Sequence, residues 1–300
     1  MKTEEIAAEV NRYIDQVGGS DEPIWCDLPG LVVLRRDKPT TFEAALYDPV
    51  VCLILQGRKE TMIGDRVVRF GAGESLIASH DLPVVSRITE ASPDLPYLAI
   101  VLMLDLGIVR SLYDQVSVQV SASGAQSGQG HSLDVHETEA SLLDALGRYV
   151  ALLGRPAEAE VMAPLILKEI HFRLLMAPHG AMLRNLIWRD SHASRIARAI
   201  ARIRQDFRSS LAVADLADAA GMSASSFHEH FKSITATTPL QYQKDLRLME
   251  ARRLLSEGTH TVSAAAFEVG YESPTQFSRE YARKFGISPR SDVGKALVSV

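Results

Sequence analysis

Along the 300-residue chain the spacing of apolar positions changes character three times. Residues 4–17 carry apolar side chains at helical intervals between charged ones, an amphipathic helix. From about Gly30 to Leu104 the apolar runs become short and are cut by turn residues. LVVLRR, VVCLILQG, KETMI, RVVRF, ESLIAS, PVVSRI and YLAIVLML read as strands, with Gly64-Asp65, Gly71-Ala72-Gly73 and Pro93-Asp94 as turns. So many short strands at this spacing predict a small barrel or sandwich. After Asp105 the pattern turns helical. Ser121–Gly130, SASGAQSGQG, reads as a flexible loop. Helices follow over Glu137–Leu153, Ala159–Met176 and Met182–Arg189, with Pro164 near the start of the second. From His192 onward only helix and turn signals remain. The class is α+β: an N-terminal part, 1–190, with a β-barrel over about 30–105 and helices over about 137–189, then an all-α part, 191–300.

The all-α part contains a repeat. GMSASSFHEHFKSITATTP (Gly221–Pro239) is answered by GYESPTQFSREYARKFGISP (Gly270–Pro289). Ser223, Phe227, Phe231 and Pro239 correspond to Ser273, Phe277, Tyr281 and Pro289. Upstream, Val213, Leu216, Ala217, Ala220 and Gly221 correspond to Val262, Ala265, Ala266, Val269 and Gly270. One extra residue in the Tyr271-Glu272 turn absorbs the difference in spacing. In each copy a short helix has one apolar face at i, i+3, i+4, i+7, and a glycine follows its last turn, where a left-handed residue is needed. A serine then caps the second helix, which Phe227, Phe231 and Ile234, or Phe277 and Tyr281, bury. Pro274 takes the first helical position, where its missing N–H costs nothing. Two helices joined by a short glycine turn are a helix-turn-helix, whose second helix enters a major groove. The copies span about 213–233 and 262–284, joined by a linker helix over Leu240–Glu257.

Composition qualifies this picture. The net charge of −5 argues against a nucleic-acid binder, but residues 193–300 carry 15 Lys and Arg against 11 Asp and Glu, and the rest 17 against 26. An acidic part joined to a mildly basic one suits a DNA reader with a separate sensing domain. The longest apolar run, Tyr97–Leu104, is too short to span a bilayer, and the N-terminus lacks a secretory h-region. Two cysteines, Cys26 and Cys52, give no disulfide framework, which fits the cytoplasm.

These motifs resemble the DNA-binding domain of the AraC/XylS transcription regulators. The residues that carry the resemblance are Ala266, Gly270, Tyr271, Ser273, Phe277, Arg279, Tyr281, Arg283, Lys284, Gly286, Ser288 and Pro289. The first copy adds Leu216-Ala217, Gly221-Met222-Ser223, Phe231-Lys232 and Pro239-Leu240-Gln241-Tyr242, and Arg247–Leu255 resembles the family's linker helix. The chain departs at Ala236 and Thr238, where the family usually has Gly and Ser, at Phe227, which replaces a common leucine, and at PRSDV, which lacks an aromatic after Pro289. Residues 30–105 and APLILKEIHFRLLMAPHGAMLRNL resemble one subgroup's N-terminal domain, a cupin-like small barrel with flanking helices. The resemblance implies double-stranded DNA, a small-molecule effector, a second copy of the chain and RNA polymerase as partners, with no cofactor.

On each recognition helix the groove-facing positions lie opposite the buried aromatics. They are Ala224, Ser225, His228 and Glu229 in the first copy, and Pro274, Thr275, Gln276 and Arg279 in the second. Arg279 suits guanine O6 and N7, Gln276 suits adenine, and Glu229 can accept from cytosine N4. A solvated face is the alternative for His228 and Glu229. Lys232, Arg283 and Lys284 reach for phosphates, as do the N–H groups at the helix starts capped by Ser223 and Ser273. Two readers one repeat apart imply adjacent major-groove segments about 10 bp apart.

A metal-dependent barrel enzyme is the competing class, but it needs several converging imidazoles. His80, beside Asp81 at a turn, is the only histidine between Gly30 and Gly130. No Ser/His/Asp or Cys/His arrangement and no phosphate-cradling glycine loop is evident, so neither catalytic nor metal residues are expected. Barrel-lining residues come from alternate positions of Val50–Leu55 and Tyr97–Leu104, with both parities open. Cys52 is either a buried hydrophobe or an electrophile or redox sensor. The stripes Leu142, Leu146, Tyr149, Leu153 and Leu165, Ile166, Ile170, Leu174 either pack on the barrel or form a dimer.

Overall fold

A computed structural model describes residues 2–19, 21–122, 131–177, 180–188 and 191–296. Helix α1 (Thr3–Gln16) buries Ile6, Ala7, Val10 and Ile14 and is followed by nine strands. These are β1 (Ile24–Trp25), β2 (Leu31–Arg36), β3 (Glu43–Tyr47), β4 (Val50–Gln56), β5 (Arg58–Ile63), β6 (Arg66–Gly71), β7 (Glu74–Ala78), β8 (Leu82–Glu90) and β9 (Tyr97–Met103). Then come α2 (Leu106–Ala122), β10 (Leu133–Glu137), α3 (Ala140–Val150), α4 (Pro156–Met176) and α5 (Ala181–Ile187).

The ladders form two antiparallel sheets, β1-β2-β9-β4-β7-β10 and β3-β8-β5-β6. The small barrel therefore takes the form of two facing sheets, and among the described residues no ladder closes one onto the other. All seven strands expected from the pattern are present, and β1, β3 and β10 are additional. The parity of the lining is also defined. Val50, Cys52 and Ile54 of β4, with Tyr97 and Ala99 of β9, join the core between the sheets. Val51, Leu53, Leu55, Leu98, Ile100 and Leu102 face the opposite way, into a core with α1 to α5. A strand buried on both faces reads as a continuous apolar run, as VVCLILQ does.

The helix expected over Glu137–Leu153 begins only at Ala140, because Glu137 pairs with β7 as the end of β10. The loop over 123–130 lies outside the described residues, as does Arg189 at the end of the last expected helix. Pro164 sits inside α4, deeper than expected. Of the helical stripes, Leu142, Leu146, Tyr149, Ile166, Ile170 and Leu174 are core, whereas Leu165 is 61% exposed beside Val161 and Met162.

The C-terminal part is helical throughout: α6 (His192–Asp206), α7 (Val213–Ala219), α8 (Ala224–Thr235), α9 (Pro239–Ser256), α10 (Val262–Glu268), α11 (Pro274–Phe285) and α12 (Pro289–Ala296). It has two cores, one per repeat copy. The first gathers Leu216, Ala217, Phe227, Phe231 and Tyr242 with Ile196, Ile200 and Ile203 of α6. The second gathers Ala265, Ala266, Tyr271, Phe277 and Tyr281 with Leu248, Ala251, Leu254 and Leu255 of α9. One helix thus contributes to both cores, its first turns to one copy and its last turns to the other. No helix among the described residues is long and apolar enough to cross a membrane.

Candidate nucleic-acid interface and sensor cavity

Both recognition helices are built as their sequence requires. Ser223 Oγ accepts from Ser226 N at 3.3 Å at the start of α8, and Ser273 Oγ accepts from Gln276 N at 3.3 Å at the start of α11. Gly270, with φ of 88°, needs both its left-handed backbone and its lack of a side chain, because a Cβ there would collide with the Arg208 carbonyl. Phe227, Phe231, Phe277 and Tyr281 are fully buried, which turns the opposite faces outward.

Those outward faces hold the expected readers. Ala224, Ser225, His228 and Glu229 are exposed on α8; Thr275, Gln276 and Arg279 are exposed on α11, with Pro274 partly so. Gln276 Nε2 donates to Glu280 at 3.1 Å, so it must exchange that bond to reach a base. Arg279 makes no ion pair or hydrogen bond among the described residues and is free to do so. Lys232 and Arg283 are exposed one or two turns further along the same stripes. They line a cleft of about 930 Å³ whose other wall is the β5–β6 turn at Gly64 and Asp65. Lys284 differs from its neighbour: it is only 12% exposed and pairs with Asp245 at 2.9 Å, so it ties α11 to α9. The final helix, which lacks the usual aromatic, is anchored by polar contacts instead. Asp292 accepts from Tyr281 Oη at 2.7 Å and pairs with Arg252 at 3.0 Å.

Arg247 of α9 has a role that its place in a linker helix does not announce. Its guanidinium donates to the carbonyls of Phe207 at 2.6 Å, Gly270 at 2.9 Å and Ser209 at 2.8 Å, and more weakly to Arg208 at 3.3 Å. Gln243 adds bonds to Phe207 and Ser209 at 2.9 and 2.7 Å. The end of α6 and the turn of the second copy are thereby held on one linker helix.

The first copy also packs against the sheets. Arg204 of α6 bridges Asp48 at 2.8 Å and Asp81 at 2.7 Å, and Tyr242 Oη donates to the Asp81 carbonyl at 2.8 Å. Burial pushes the Asp81 carboxyl up, while Arg204 opposes the rise. Ser132 Oγ donates to the Ile234 carbonyl, and Gly64 lies against the backbone of Ala236. His80, beside Asp81, is buried here. Its Nε2 donates to the Ala193 carbonyl at 3.1 Å, which fixes the tautomer, and Ser79 Oγ lies 2.9 Å from Nδ1. Burial pushes this imidazole down to about 4. His80 therefore joins the two parts of the chain.

Between the sheets is a cavity of about 390 Å³, within the range of small-molecule sites. Val32, Leu34, Val50, Ile88, Val101 and Met103 give it an apolar lining, and Cys52 and Lys59 lie on it as well. Cys52 is 4% exposed and burial pushes its thiol up, which lowers its reactivity. Strand β3 is a wall shared by the cavity and the first reader. Ala45 and Tyr47 face the space between the sheets, while Leu46 packs on the core of the first helix-turn-helix.

A family model described as an AraC-type transcriptional regulator N-terminus matches residues 27–182, just over half of the chain, and a helix-turn-helix domain model matches residues 216–292. The HTH-type transcriptional activator RhaS of Escherichia coli O1:K1 is 29% identical over 152 residues, 50% of this chain and 54% of the relative. RhaS of Escherichia fergusonii is 27% identical over 167 residues, 55% and 59% of the two chains. The match thus spans about half the length of the curated relatives. A solved structure of ToxT from Vibrio cholerae aligns with a TM-score of 0.56 at 13% identity, covering 88% of this chain and 97% of that one. A second ToxT structure, bound to (E)-4-(8-methylnaphthalen-1-yl)but-3-enoic acid, aligns with a TM-score of 0.51 at 12% identity, covering 88% and 97%. At such identity the likeness is one of fold. With one model on the two-sheet domain and the other on the repeated helices, the chain belongs to the AraC-type transcriptional regulators.

Proposed function

We propose that the chain is a sequence-specific DNA-binding transcription regulator, not an enzyme, whose 1–190 domain senses a small molecule and whose 191–300 domain reads DNA. The observation that carries the reading is strand β3, with a ligand-sized cavity on one face and the core of a DNA reader on the other. A ligand that displaces Tyr47 or Ala45 moves Leu46 and the Asp48–Arg204 pair with them. The two capped recognition helices, with exposed polar stripes ending in Arg279 and Arg283 or Lys232, supply base and phosphate contacts.

The finer reading places the protein in the cytoplasm as a homodimer. The exposed Val161, Met162 and Leu165 of α4 are the dimer face, and promoter-bound RNA polymerase is a further partner. Light scattering of the full chain tests the dimer. The function is tested by selecting bound fragments from genomic DNA. The expected result is a recurring site with two elements about 10 bp apart, whose affinity falls steeply with salt. Binding without sequence preference would overturn the reading.

A further inference from the structure

The charge inside the cavity identifies the ligand class, and this inference rests on the sensing role proposed above. Lys59 lies on the inner face of β5, in step with Ile63 of the core between the sheets, and reaches the cavity lining. Its ammonium sits 5.5 Å from the centroid of the Tyr47 ring and pairs with no carboxylate within 4 Å among the described residues. Among the described residues the lining holds two carboxylates. Asp48 is committed to Arg204, and Glu43 is exposed four residues along β3 from Tyr47, about 13 Å away for an extended strand.

The neighbours of Lys59 do not neutralise it. Burial lowers its proton affinity, and Tyr47, Tyr97 and Cys52 raise it only when they carry negative charge. Burial also pushes Tyr97 and Cys52 up, so near neutral pH they are uncharged dipoles beside a cation. The Tyr97 hydroxyl, fully buried, has no hydrogen-bond partner among the described residues. The Thr61 hydroxyl, two residues from Lys59 on the same face of β5, is likewise buried without a partner among the described residues. A half-buried cation without a counterion is costly, and so are buried hydroxyls without a partner. Two further cations stand on the lining, of which Arg87 is held by Glu60 at 3.2 Å and Arg36 makes no ion pair among the described residues. Trp25, on the lining at β1, is 69% exposed and offers an aromatic surface for the ligand's outer end.

We propose that the cavity takes an amphipathic monocarboxylate, its carboxylate against Lys59 and its apolar body along Leu34, Val101 and Met103 toward Trp25. The anion supplies the charge that the fold withholds, and the apolar lining rejects a polyhydroxylated ligand such as a sugar.

The test uses the full chain and three probes of one chain length: octanoate, octan-1-ol and octylamine. Calorimetric titration at neutral pH is expected to give at least tenfold tighter binding for octanoate than for the alcohol, with no binding of the amine. Lys59→Met is expected to cost octanoate at least tenfold and leave the alcohol unchanged or improved. Lys59→Gln, which keeps a polar head, should lose octanoate by a similar factor, so the result does not depend on one variant folding. Alcohol binding equal to octanoate, or octanoate affinity unchanged in both variants, overturns the ligand class but leaves a sensing cavity. Binding of none of the three probes overturns the cavity as the sensor site as well.

Discussion

The two helix-turn-helix copies share caps, cores and turns but differ in what holds them. The first is fastened to the sensor by Arg204, Tyr242, His80 and the Ser132–Ile234 bond. Among the described residues the second makes no hydrogen bond or ion pair to the sensor and hangs from α9 through Arg247, Lys244, Arg252 and Lys284. The arginine suited to guanine is in this second copy, while the first presents His228 and Glu229. A change at the sensor therefore reaches the first reader directly and the second only through the linker helix. Base-specific affinity and sensor control are divided between two copies of one motif.

Breaking the linker contacts should have the largest effect. Arg247→Met leaves the carbonyls of Phe207, Ser209 and Gly270 without their charged donor and is expected to cost about 2–4 kcal/mol in urea unfolding. Acid should come next, and should act on the first copy's attachment. The unfolded chain protonates His80 near pH 6.5, whereas the folded chain refuses the proton until about 4. The stability is therefore complete above about 6.5 and drains away as pH falls toward 4, by up to about 3 kcal/mol. His80→Gln should remove that share of the slope in melts across the window, leaving the share of buried His171, whose imidazole burial also pushes down.

A smaller effect separates the copies at their helix ends. Ala236, with φ of 56°, occupies the left-handed C-cap that Gly286, with φ of 71°, occupies in the second copy. Ala236→Gly should stabilise by about 0.5–1 kcal/mol, and Gly286→Ala should cost about 1 kcal/mol, read from thermal melts of the two variants. Equal signs for the two substitutions would mean that the helix ends are not equivalent.

The reader was legible in the sequence because its devices are local. Caps, turn glycines and buried aromatics recur at fixed offsets, and each states its own geometry. The strands β2, β4 and β9 were legible as apolar runs. EAALY was not, because an alanine-rich segment has weak strand propensity and becomes β3 only by pairing with β8. LDVHE was not legible as a strand either, its Glu137 reading as the start of the helix that follows, and it becomes β10 by pairing with β7. KETMI hid the cavity's chemistry. Its inward positions are Lys59 and Thr61, while Glu60, also buried, faces the other way between Arg69 and Arg87. Polar residues on both faces of a strand carry no signal of direction, so the cation inside the sensor appears only when the sheets are assembled. His80 and Arg247 were missed for a related reason, since their partners are backbone carbonyls far away in the chain.

The most direct test of the division between the copies is binding of the full chain to its selected site and to every single-base variant of it. Arg279→Ala should lose about 1–3 kcal/mol on the parent site and lose its preference at one base pair, while Lys232→Ala weakens all sequences alike and lowers the salt slope by about one. Uniform loss across the panel for Arg279→Ala would contradict base reading by the second copy.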